Sequence, residues 1–251
     1  MRIWDSFLTE RDKLVFGGAG YDAKGGFGKR PALLVIDVSY AFCGHIKEPV
    51  LDSIRTWRNS CGEEAWNAIP YIQKLLGAAR EQHIPIFYST GIDRRPDGFD
   101  GGGWNRKNTR SEDNAGVPGY GGNEIVREIA PQPSDIVIEK LKPSAFHGTP
   151  LIGFLTDLGI DTLLICGTTT GGCVRASVID AFSCNLNVGV VEECTFDRGQ
   201  ASHAINLFDM NAKYADVIST AEAITYLEQT EKGLFDHKID FNAARSPQVT
   251  A

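Results

Sequence analysis

Apolar and polar positions along this chain alternate between two periods. Ala32-Leu33-Leu34-Val35-Ile36 runs without a polar interruption up to Asp37, as in a strand covered on both faces. Over residues 63–82 the pattern changes. Trp66, Ile69, Ile72, Leu75, Leu76 and Ala79 recur at i, i+3 and i+4, which predicts an amphipathic helix. Further strands are expected over Ile84–Thr90, Ile136–Lys140, Asp161–Gly167, Asn187–Val191 and Val217–Ser219. Helices are expected at 149–159, with Thr149 as N-cap, Pro150 at N1 and Gly159 as the stop, and over Cys173–Ser183 and Ala201–Lys213. Ser219-x-x-Glu222 reads as a capping box that opens the last helix. Such alternation over residues 31–230 predicts a three-layer α/β/α domain. Its open sheet is mainly parallel and six-stranded, with helices on both faces and right-handed crossovers.

The flanks read differently. Residues 1–30 look like an N-terminal arm. Asp5 and Ser6 are candidate caps for a short helix, and glycines at 17, 18, 20, 25, 26 and 28 suggest a flexible segment. These glycines precede the first strand, so they do not form the strand–turn–helix of a dinucleotide site. Residues after 230 look like a loosely held tail. The stretch 91–122, containing Gly101-Gly102-Gly103-Trp104, is a long loop of the kind that is functional or disordered.

Composition narrows the partners. The 251 residues carry 25 Lys and Arg against 32 Asp and Glu, a net charge of −7. No basic cluster appears, which argues against nucleic acid. No apolar run reaches the ~18 residues of a membrane helix. A start that holds Asp5, Glu10, Arg11, Asp12 and Lys13 is not a signal peptide, so a cytoplasmic location with reduced thiols is expected. The 6 cysteines show no C-x-x-C spacing and the 5 histidines are scattered. Neither a metal site nor a cofactor is therefore expected.

Sites in open α/β sheets lie beyond the carboxyl ends of the strands. Asp37 ends the first strand, Lys140 ends the third, and Gly167-Thr168-Thr169-Thr170-Gly171-Gly172-Cys173 joins the fourth to its helix. An acid, an amine and a thiol could thus meet at one point. Cys173 would begin a helix, where the dipole and a neighbouring lysine favour a thiolate; the competing reading is a small core residue. Cys166 and Cys184 fit a core role better, and Cys43, Cys61 and Cys194 carry no signal. Asp37 could equally cap a loop start. Lys140 and Lys142 share parity, so both would face the same way in an extended segment.

Three segments together resemble the isochorismatase-like cysteine hydrolases: Ala32–Asp37, Glu139–Thr149 with its Lys-Pro-Ser-Ala-Phe-His, and Gly167–Ala176. Thr195-Phe196-Asp197-Arg198 and residues 206–217 are most similar to the N-carbamoylsarcosine amidase branch. The resemblance implies a Rossmann-like topology and an Asp37–Lys140–Cys173 triad, with Cys173 as nucleophile and Lys142 at a variable position. It implies a non-proline cis peptide before Thr169, whose N–H joins that of Cys173 in an oxyanion hole. Arg198 matches the residue that holds the substrate carboxylate; on spacing alone it would pair with Glu192, Glu193 or Asp197. Trp104 is a candidate pocket residue or simply an anchor of its own loop.

The departures from the family also inform. Residues 90–95, Thr-Gly-Ile-Asp-Arg-Arg, lack the Asp-x-His metal motif of nicotinamidases. A cysteine at 173 argues against the vinyl ether chemistry of true isochorismatases. The segment 43–62, with Trp57 and Cys61, has no counterpart and could reshape the pocket. The implied activity is hydrolysis of a linear amide or ureido C–N bond in a small carboxylate-bearing molecule, with release of ammonia through a thioester. Maleamate- or ureidoacrylate-type half-amides are the main alternative, and a non-catalytic binding protein the remote one. A homo-oligomer, dimer or tetramer, is expected.

Overall fold

The computed structural model describes residues 2–107 and 115–241. Its sheet has six strands: β1 Pro31–Ile36, β2 Ile86–Gly91, β3 Ile136–Lys140, β4 Thr162–Thr168, β5 Asn187–Phe196 and β6 Asp216–Ile218. All neighbours are parallel, in the order β3-β2-β1-β4-β5-β6. Pro31 occupies the first position of β1, where a missing N–H is tolerated. The rest of β1 is almost wholly inaccessible, because helices cover both faces of the sheet. β3 lies at the edge. There Ile138 and Lys140 turn inward while Val137 and Glu139 turn to solvent.

The helices are α1 Glu10–Gly18, α2 Tyr40–Cys43, α3 Val50–Thr56, α4 Glu63–Glu81, α5 Gly103–Lys107, α6 Leu151–Leu158, α7 Arg175–Ser183, α8 Gln200–Lys213 and α9 Thr220–Glu228. α4 buries Ile69, Ile72, Leu75, Leu76 and Ala79 as its spacing predicts. Trp66 is partly buried against the same core, and its indole N–H donates to the Cys43 carbonyl at 3.0 Å. α9 opens on the expected capping box of Ser219 and Glu222. α6 starts one residue late, yet the Thr149 hydroxyl still accepts from the Leu151 N–H. Gly159 closes it in the left-handed region.

Several local expectations are corrected. Thr9, not Asp5 or Ser6, caps the first helix, through a reciprocal box with Asp12. The glycine-rich segment is tied to the sheet: Gly25 and Gly26 donate to the Asp216 carboxylate and Gly28 to the Thr162 hydroxyl. Trp4 is buried as well. Past residue 230, Phe235 is fully buried and Asp236 bonds His83. Apolar anchors spaced this widely leave no periodic trace in sequence. Within the long loop, Phe99–Gly101 forms a 3₁₀ turn and α5 follows; residues 108–114 lie outside the described set. β5 continues to Phe196, beyond its expected end at Val191, because it shifts register against β4 between Ile165 and Gly167. Among the described residues no helix is long and apolar enough to cross a membrane.

From β1 the chain proceeds to β2, and from β4 to β5 on the other side. The carboxyl ends of β1 and β4 therefore part to leave a crevice, where such sheets bind ligands.

Candidate active site

The three chemistry-bearing residues converge at this crevice. Asp37 follows β1 with φ 53°, a left-handed conformation that Asp tolerates better than most residues. That turn leaves its carboxylate buried over the sheet end. One oxygen accepts from Lys140 Nζ at 2.7 Å and the other from Ser89 Oγ at 2.9 Å. Lys140 Nζ also lies 3.5 Å from Cys173 Sγ. Register explains the meeting. Ser89 pairs with Ile36 beside Asp37, and Lys140 pairs with Gly91 one strand further out. The parity ambiguity is thereby resolved: Lys140 bonds Asp37, and Lys142 reaches the same cavity further out.

The thiol is delivered by a tight turn after β4. The Thr168–Thr169 peptide is cis, and residues 170–174 form a π turn that leads into α7. Gly167 adopts φ 103°, and a Cβ there would stand 2.1 Å from the Ile36 carbonyl oxygen; only glycine lets β4 lie this close to the end of β1. At Gly172 a Cβ would strike the Thr169 hydroxyl at 2.5 Å. Side chains from outside the turn fix it further. Asp197 accepts the Gly171 N–H at 3.0 Å, and the Thr170 hydroxyl bonds His203 Nδ1 at 2.7 Å. His203 is held below its ordinary pKa by burial, against the pull of Asp197.

The electrostatics correct one expectation. Burial, and then the Asp37 carboxylate, push the Cys173 thiol well above its usual range, although Lys140 opposes them. The pull of the lysine toward a thiolate does not offset desolvation beside an anion. Burial is the largest influence on Lys140 and would lower its pKa, but the Asp37 carboxylate and the Cys173 sulfur together outweigh it and hold the ammonium charged. These directions favour a thiol beside the Asp37–Lys140 ion pair, an arrangement with no net charge.

The cavity above Cys173 is lined by Asp37, Ala41, Phe42, Arg94, Trp104, Asn123, Lys140 and Lys142, among others. Its volume is about 50 Å³, which holds roughly three to five water-sized groups. Trp104 faces it. Thr169 is buried in the same turn as Cys173. Arg198 is not part of this lining. Its guanidinium donates to the Asn59 carbonyl, stands 4.0 Å from the Asp197 carboxylate, and leaves Nε without a partner. The 43–62 segment thus anchors Arg198 through Asn59 and touches the turn after β4 through Cys61, whose thiol contacts the Thr168 hydroxyl.

Ser89, Arg94 and Asn123 were not foreseen. A serine at a strand end facing an aspartate is a readable signal only once the register is known, and the other two sit on loops without periodicity. Cys43, Cys61, Cys166 and Cys194 are buried, whereas Cys184, expected in a core role, is exposed. The imidazoles of His45, His83 and His203 bond Trp57, Asp236 and Thr170 respectively. Among the described residues no three His, Cys, Asp or Glu side chains gather as metal ligands would.

The chain is thus a doubly wound α/β domain with a buried Cys–Lys–Asp cluster at its switch point. Residues 31–222 match the isochorismatase domain, and the chain belongs to that family. The N-carbamoylsarcosine amidase of an Arthrobacter species is 33% identical over 224 residues, 85% of this chain and 77% of that one. The maleamate amidohydrolase of Pseudomonas putida is 33% identical over 203 residues, 80% of this chain and 89% of its own. A cysteine hydrolase from Pseudomonas syringae pv. phaseolicola has a solved structure with TM-score 0.69 and 25% identity, over 79% of this chain and 92% of that one. The protein is accordingly a hydrolase of the kind that acts on amide C–N bonds.

Proposed function

We propose that the protein cleaves the terminal C–N bond of a small, carboxylate-bearing linear amide or ureido compound, releasing ammonia through a thioester on Cys173. The observation that carries this reading is the neutral buried cluster. Moving the thiol proton to Asp37 converts thiol plus carboxylate into thiolate plus carboxylic acid. The total charge beside Lys140, within 3.5 Å of the sulfur and 2.7 Å of the carboxylate, does not change. A nucleophile can therefore form at a site where an isolated thiolate would be too costly.

Sγ then attacks the carbonyl carbon, and the N–H groups of Thr169 and Cys173 receive the developing oxyanion. The proton on Asp37 passes to the leaving nitrogen, the C–N bond breaks, and ammonia departs. Water, deprotonated by Asp37, cleaves the thioester and restores the thiol. With an N-carbamoyl substrate the product is a carbamate, which loses carbon dioxide. Lys140 stays charged throughout and takes no proton.

A half-amide of an unsaturated dicarboxylic acid is the second reading, favoured by the equal identity to the maleamate enzyme. Ammonia release should be measured across N-carbamoyl amino acids, ureido acids and half-amides, with Cys173→Ala as the blank. Release from one class at a kcat/KM at least a hundredfold above the others assigns the substrate. No release from any of them refutes the proposal.

A further inference from the structure

We infer that Lys142 is the specificity-determining residue that holds the substrate carboxylate, an inference that rests on the amidase reading above and deepens it. Lys142 lines the cavity of Cys173. It follows Lys140 by two residues, in the bend that takes the chain out of β3. Lys140 is committed to Asp37 and Cys173. The Lys142 side chain is half-buried, and among the described residues it has neither hydrogen bond nor ion pair. A partly desolvated ammonium calls for an anion. Its reach is toward the glycine segment before Trp104: a Cβ at Gly102 would stand 3.7 Å from Nζ.

The charge of the cavity points the same way. Asp37 is its one carboxylate among the described lining residues, against the cations Arg94, Lys140 and Lys142. Asp37 pairs with Lys140, and Lys142 keeps its charge unpaired among the described residues. Size agrees as well. In an N-carbamoyl amino acid the carboxylate carbon lies three bonds from the scissile carbonyl, about 3–4 Å away. A substrate seated on Cys173 would direct that group to the mouth of the cavity, past Lys140. Arg198 is engaged elsewhere, by Asn59 and Asp197.

The carboxylate is remote from the reacting atoms, so its contact is equally strong in the ground and transition states. Losing it should raise KM and spare kcat. Lys142→Met and Lys142→Arg should be assayed for ammonia release from N-carbamoylglycine and from its uncharged N-methylamide, which keeps the ureido group as its one source of ammonia. Calorimetric titration with N-acetylglycine and N-acetylglycine N-methylamide, which lack the cleavable terminal nitrogen, gives a readout independent of turnover. Expected for Lys142→Met is a KM about 10- to 100-fold higher for the acid, as for a lost charge-assisted hydrogen bond. Its kcat should stay within threefold and the neutral amide should be unaffected. Lys142→Arg should keep most of the affinity, and N-acetylglycine binding should weaken in parallel. An unchanged KM, equal losses on acid and neutral amide, or a selective loss in Arg198→Gln alone would overturn the inference. If the wild type hydrolyses neither compound, the amidase reading fails on these substrates and the titration still decides. Acid binding that depends on Lys142 supports the site, and binding that ignores it, or no binding, overturns it.

Discussion

The Asp37–Lys140 pair can be tested by removing its charges singly and together. Their side chains are 2% and 5% exposed and 2.7 Å apart. Lys140→Met leaves the Asp37 carboxylate buried without its cation, which typically costs about 3–5 kcal/mol. For a chain of this length, at about 2–4 °C per kcal/mol, the melting temperature should fall by roughly 6–20 °C. Asp37→Asn should be milder. Lys140 retains the sulfur at 3.5 Å, and with one cause of its raised pKa removed the thiol can give up its proton to balance the ammonium. The double variant Asp37→Asn/Lys140→Met has no charge to strand, so it should recover most of the loss of Lys140→Met. Replacing a buried pair by neutral groups of similar volume is often close to neutral. Urea unfolding of the four proteins gives the coupling energy, and ammonia release gives the rates. Each single variant should lose at least a thousandfold in kcat, and the double no more than the worse single, because residues that act as one unit do not add. Stability losses that add across the cycle would show that the charges do not compensate each other, and the neutral-cluster argument would fall.

Cys173→Ala should abolish turnover with its unfolding midpoint near wild type, whereas Cys166→Ala should change stability alone; ammonia release from Cys173→Ala would end the thioester mechanism. Ser89→Ala removes a 2.9 Å hydrogen bond to the Asp37 carboxylate and should lower kcat about 10- to 100-fold with little change in KM; a change confined to KM would contradict a positioning role. Dialysis against a strong chelator should leave activity intact, and restoration of lost activity by zinc or manganese would disprove this. Burial pushes the Cys61 thiol up from 9.0 to about 11, so from pH 9 to 11 the unfolded chain sheds a proton that the folded one keeps. Stability then falls as pH rises, by about 1.4 kcal/mol per unit from this thiol. Urea unfolding of Cys61→Ala at pH 8 to 11 should show a slope shallower by that amount, and an unchanged slope would place the proton elsewhere.

Much of the scaffold follows from local chemistry. An uninterrupted apolar run can be satisfied only where both faces are covered, so Ala32–Ile36 implies a central parallel strand. The stripe on α4 and the box at Ser219 are equally local, because spacing and cap chemistry act within a few residues. That Asp37, Lys140 and Cys173 share one end of the sheet follows from parallel strands alone. Cys173 was also marked by its Gly-rich turn, and the family resemblance aligned the three.

What the chain could not disclose depends on neighbours distant in sequence. The protonation state of Cys173 follows from desolvation beside Asp37, a field that only packing creates, and it reversed the inference drawn from a helix start. Arg198 had a sound position in the sequence, but its guanidinium turns to the Asn59 carbonyl, 139 residues away. The anchoring of the first 30 residues rests on single contacts such as Gly25 and Gly26 to Asp216, which no periodic pattern encodes. Lys140 and Lys142 have the same parity and the same chemistry. The sequence by itself determined that the two lie together at the carboxyl end of β3; the register of β3 against β2 decided that Lys140 meets Asp37, and the bend after β3 leaves Lys142 at the mouth with no partner among the described residues.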